Sequence, residues 1–162
     1  MGMYTELVLA IELKKKVPPA VIEILDFMVH SWNKEPPEIK ISHPLFKTEH
    51  WTIMLACDSY YFPGRSQSIF EYDGISQSYF LTVRSNFKNY GDEIRKFLHW
   101  MAPYSQTGIN NYPPMEPYNS FVGHFRYEEN EHPTLIYFKG GKAYLSEVEP
   151  GELKAIELED LN

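Results

Sequence analysis

The chain has 162 residues, 43% of them hydrophobic and 23% charged, with a formal net charge of −7 and one cysteine. That length and composition fit one globular domain with its own core, and a lone cysteine excludes an internal disulfide framework. The pI near 5.3 argues against nucleic acid and anionic membrane surfaces as partners, because phosphate groups demand positive charge.

The predicted elements run as follows. Residues 4–13 read as a strand, with Leu7, Leu9, Ile11 and Leu13 on one side and Glu6 and Glu12 on the other. Pro18 and Pro19 suit a helix start, and Val21, Ile22, Leu25, Met28, Val29 and Trp32 follow at helical spacing. A loop with a short strand at Ile39–Ile41 leads to the apolar run Trp51–Ala56, which has strand length. Ser68–Tyr72 and Gln77–Arg84 flank Asp73–Gly74 and predict a hairpin. A second helix is predicted from about Tyr90 to Met101, capped by Asn89 and ended by Pro103. Residues 105–119, rich in Pro and Asn, read as a long loop. Strands at Phe121–Tyr127, Thr134–Phe138 and Lys142–Val148 complete the body, the last two joined at Gly140–Gly141.

Runs of adjacent strands predict an α+β fold: one antiparallel or mixed sheet of about six strands, with two helices on one face. The first elements are compatible with a ferredoxin-like βαββαβ core. Residues 1–151 read as a single α+β domain and 152–162 as a short acidic tail. No apolar run approaches the ~20 residues that span a bilayer, and the apolar start lacks a basic leader, so the expectation is a cytoplasmic protein that does not enter a membrane.

Strand parity groups polar side chains on the helix-free sheet face. With Trp51, Ile53 and Leu55 directed at the helices, His50 and Thr52 face away, together with Thr82, Arg84, His124 and Arg126. Guanidiniums beside imidazoles suit a carboxylate or phosphate, since Arg offers a bidentate fork. His50, Arg84, His124 and Arg126 are therefore the candidate ligand-binding residues. The bland alternative is an ordinary solvated sheet face. The six histidines have no metal-site spacing, there is no HExxH and no cysteine pair, and no metal or cofactor is expected. Cys57 has no adjacent helper to make it a thiolate, and Gly64–Arg65–Ser66 lacks the lysine and glycines of a phosphate loop. The segment Phe121–Tyr127 alternates aromatics but lacks the basic–glycine–aromatic core of RNA-recognition strands.

With no catalytic signature, the leading expectation is a non-enzymatic interaction module that binds a protein partner or itself. Tyr60, Tyr61, Tyr112 and Tyr118, near predicted loops, are the candidate contact residues. Residues 128–162 hold 3 basic and 9 acidic side chains, a net of −6, and such a surface steers association toward a basic partner site. In this profile the chain resembles small acidic inhibitor and immunity-type proteins. The alternative is a small-molecule-binding protein or enzyme that holds an anionic ligand on the Arg/His sheet face.

Overall fold

A computed structural model describes residues 3–106, 121–147 and 151–161. The elements in chain order are β1 (Tyr4–Glu12), α1 (Pro19–His30), β2 (Ile69–Asp73), β3 (Ser78–Lys88), α2 (Glu93–Met101), β4 (Phe121–Tyr127), β5 (Thr134–Lys139) and β6 (Lys142–Glu147). They form one six-stranded sheet of order β2-β3-β1-β4-β5-β6, with every neighbouring pair antiparallel. The first four strands thus have the β4-β1-β3-β2 order of a ferredoxin-like unit, and β5 and β6 extend it as a meander.

Alternation along β1 separates the two faces. Leu7, Leu9 and Ile11 are buried and share one core with Leu81, Val83 and Phe87 of β3. Val21, Ile24, Leu25, Phe27 and Met28 of α1 and Ile94, Phe97, Leu98 and Met101 of α2 cover that same core. Pro19 opens α1, where a missing N–H leaves no bond unmade. The helix stops at His30, so Trp32 lies beyond it and is exposed.

Trp51–Ala56 is not a strand. It is a set of helical turns, in which Ala56 and Cys57 donate backbone N–H to the Ile53 carbonyl at 2.9 Å. Its buried residues are Trp51, Met54 and Leu55, a spacing of three and four that belongs to a helical turn; a short apolar run alone does not distinguish the two. Residues 39–41 are likewise outside any strand.

The hairpin forms as predicted, but its chemistry differs. Four residues separate β2 from β3, and the left-handed residue is Gln77, not Gly74. The Asp73 carboxylate holds the turn by accepting from Ile75 N at 3.2 Å and Ser76 Oγ at 2.8 Å, and these bonds keep its carboxyl below the usual range. Helix α2 starts at Glu93, later than the pattern indicated. The N-cap residue is Asp92, left-handed and without a side-chain cap, not Asn89; Asn89 Oδ1 instead accepts from the Ile94 N–H at 3.0 Å from outside the helix. No helix among the described residues is long and apolar enough to cross a membrane.

Candidate functional site

Strand β1 lies between β3 and β4, so its outward residues decide what meets on the helix-free face. Val8 pairs with Arg84 on one side and His124 on the other. Glu6 pairs with Asn86 and Arg126. Three of the four sequence-predicted ligand residues therefore converge around one carboxylate. Arg84 Nη2 donates to Glu6 Oε2 at 3.1 Å. The Arg126 guanidinium sits 5.3 Å from the centroid of the Phe62 ring, a cation–π distance.

The face is covered at this end. Residues 60–65 fold across it: Tyr61 stacks on Tyr4 at 5.1 Å, Phe62 is buried under Arg126, and the chain at Gly64 presses against Arg84. A Cβ on Gly64 would lie 1.9 Å from Arg84 Nη2. Asp58, Ser59 and Asn86 tie the base of this loop to β3: Ser59 Oγ donates to Asn86 Oδ1, and Asn86 Nδ2 donates to Asp58 Oδ1 at 3.3 Å.

Burial holds His124 below its ordinary value; Glu6 opposes that shift, while Arg84 and Arg126 add to it. Chemically, the group is two guanidiniums and a neutral-leaning imidazole around one internal anion. Removing that anion has a readable effect. In Glu6→Gln, His124 is expected to titrate at a still lower pH than in the parent, because the charge that favours its protonated form is gone. A proton NMR titration of the imidazole resonances checks this, and an unmoved or raised midpoint contradicts the arrangement.

His50 is placed elsewhere. It lies in the turns before β2, not on a strand, and its Nδ1–H donates to the Lys88 carbonyl at 2.8 Å. The same nitrogen is 3.6 Å from Oε1 of Glu93, which is wholly buried and accepts from the Gly91 N–H. His50 thus braces the start of α2 against the end of β3. The parity that put it on the helix-free face fails because Trp51–Ala56 is not extended.

Of the predicted contact tyrosines, Tyr60 is 96% exposed and Tyr61 is exposed beside Tyr4. Tyr112 and Tyr118 lie outside the described residues. Cys57 is half-buried, and burial pushes its thiol up, so it is a poor nucleophile at neutral pH. Among the described residues, no three His, Cys, Asp or Glu side chains gather in a way that could hold a metal ion.

The other end of the helix-free face was missed by strict alternation. A bulge between Phe121 and Gly123 shifts the register of β4 against β5. It buries Val122 and turns Phe121 outward, where Phe121 meets Tyr137 with ring centroids 5.6 Å apart. Tyr137 pairs with Tyr144 of β6. Toward the opposite edge, Phe80 and Phe121 line one shallow cavity with Ala10 and Thr82, and Ile69 pairs with Thr82. The result is an apolar band across the sheet, in which Ile69, Phe80, Phe121 and Tyr144 are 38–50% exposed. No protein-family model matches the chain, and comparison with curated proteins and with solved structures returned no match.

Proposed function

We propose that the protein is a non-enzymatic interaction module that docks a protein partner on the apolar half of its helix-free sheet face. The observation that carries this reading is the band of Ile69, Phe80, Phe121 and Tyr144, large apolar side chains exposed on the face that no helix among the described residues covers. A solvated antiparallel face is normally polar on its outer side, and clustered exposed apolar groups mark interaction surfaces. Tyr60 adds a fully exposed aromatic. The acidic segment 128–162 favours a partner with a basic rim, through faster encounter and not through the docked contact itself.

The paired variant Phe80→Asp with Phe121→Asp tests the reading. Burying either carboxylate against an apolar partner surface removes a central contact, and losses of ~2 kcal/mol or more are usual for such positions, about 30-fold in affinity. Affinity capture from the native source, followed by calorimetry with the recovered partner, is expected to show that loss, together with weaker binding as salt rises. Equal affinity of parent and variant overturns the proposed surface. If sedimentation shows the parent to self-associate and the variant to be monomeric, the partner is a second copy of the chain.

A further inference from the structure

Another surface of the molecule carries chemistry that the sheet face does not use. Arg95, Lys96 and His99 recur along α2 at the spacing that puts side chains on one helix face, and Asp92 precedes the helix 3.7 Å from Arg95. The short 3-10 turn Pro44–Lys47, with His43 ahead of it, lies against one side of that face, and β6 lies against the other. Between them is a cavity of about 590 Å³ whose wall includes Arg95, Lys96, His99, Leu98, Ala143 and Leu145. That volume falls within the ~300–1,000 Å³ typical of small-molecule sites.

The hydrogen bonds fix which ring nitrogens carry protons. Leu45 N–H donates to His43 Nδ1 at 3.1 Å, so the proton of a neutral His43 is on Nε2. That Nε2–H is 2.9 Å from His99 Nδ1, which must then accept. His99 is left with its proton on Nε2, a nitrogen with no partner among the described residues. The two rings stack with centroids 5.2 Å apart. A second proton on His43 would have to break the bond from Leu45, and burial together with His99 keeps His43 below its ordinary value. The relay therefore presents one oriented N–H donor.

Two cations stand on the same helix face. Lys96 Nζ donates to the Gly91 carbonyl at 2.7 Å, which anchors the ammonium near the helix start. Arg95 is 3.7 Å from Asp92 on the exposed surface, a pairing of little strength in water. Two cations against one carboxylate leave a net positive lining, in a chain of net charge −7. The remaining wall, Leu98, Ala143 and Leu145, is apolar.

We propose that this cavity binds a small organic anion, with its oxyanion held by Arg95, Lys96 and the His99 Nε2–H and its hydrocarbon part against Leu98, Ala143 and Leu145. This site is independent of the sheet-face docking surface. Hexyl phosphate and inorganic phosphate are the probes. In ¹H–¹⁵N NMR titrations of the intact protein, hexyl phosphate is expected to saturate and to shift Arg95, Lys96 and His99 before any residue of β2. It should bind at least tenfold tighter than inorganic phosphate, because only it fills the apolar wall. Arg95→Gln with Lys96→Gln should weaken hexyl phosphate at least tenfold, and Leu145→Asp should erase its advantage over phosphate. Non-saturating shifts, shifts centred on Arg84 and Arg126, or equal affinity for the two probes each overturn the proposal. Were either variant to misfold, the shift map of the parent protein would still decide.

Discussion

Gly123→Ala is expected to lower folding stability by about 3 kcal/mol, at the upper end of what overpacking costs. The cause is backbone against backbone. A Cβ at residue 123 would stand 2.0 Å from the Val8 carbonyl oxygen and 2.9 Å from Leu9 Cα. Val8 and Leu9 are in the middle of the central strand and pair with β3 on their other side, so they cannot yield without loosening both ladders. For a chain this size the loss corresponds to a fall of about 6–12 °C in Tm. Thermal and urea unfolding check it. Gly74→Ala is the control: a Cβ there meets nothing within 4 Å, and the residue is not left-handed, so its stability should stay within ~0.5 kcal/mol of the parent. Equal losses at the two sites would contradict the close approach. The bulge has a functional side as well. Without it, β4 would direct Val122 outward and Phe121 inward, and the apolar band of the sheet face would lose its centre.

Phe97→Ala is expected to cost about 3–5 kcal/mol, the range for emptying a buried aromatic position. Phe97 is fully buried on the core side of α2, with its ring 6.0 Å from Trp100. Trp100 in turn makes edge contacts with Phe46 and Tyr104, so the cavity opens beneath a linked aromatic group that holds the 3-10 turn against the helix. Against the 5–15 kcal/mol total of an ordinary domain, this single loss approaches the threshold for unfolding. Urea denaturation should show a lower midpoint with an unchanged slope. Phe97→Leu should recover more than half of the difference. A loss below 1 kcal/mol in the alanine variant would mean that α2 is not packed as described. The outer face of the same helix carries Arg95, Lys96 and His99, so the alanine variant should also bind hexyl phosphate more weakly.

The alternation of β1 and the spacing in α1 and α2 were legible in the sequence, because each obeys one clean period, and Gly140–Gly141 marked the turn between the last two strands. From them the α+β class and the helix-free face follow, and so does the meeting of Arg84, His124 and Arg126. Trp51–Ala56 was misread because a short, nearly continuous apolar run has too few polar breaks to show a period. That error carried His50 to the wrong place. Strict alternation with His124 and Arg126 would turn Phe121 inward; a bulge adds one residue to one strand, and Gly123 gives only a weak hint of it. Glu6 was placed only on the outward side of its strand, yet it is the anion at the centre of the cluster; only its cross-strand neighbours reveal that. The His43–His99 pair had no local signal at all, since 56 residues separate its members.

Strand β1 pairs Val8 with Arg84 and with His124, partners made 76 and 116 residues later. At ~5–20 residues per second of synthesis, its second neighbour arrives roughly 6–23 s after the strand itself. Of the inner strands, β1 thus waits longest for its second neighbour. Leu7, Leu9 and Ile11 wait on the ribosome without a finished ladder, a natural station for a chaperone, and refolding from denaturant should be slow for a chain of this size because its central pairings close long loops.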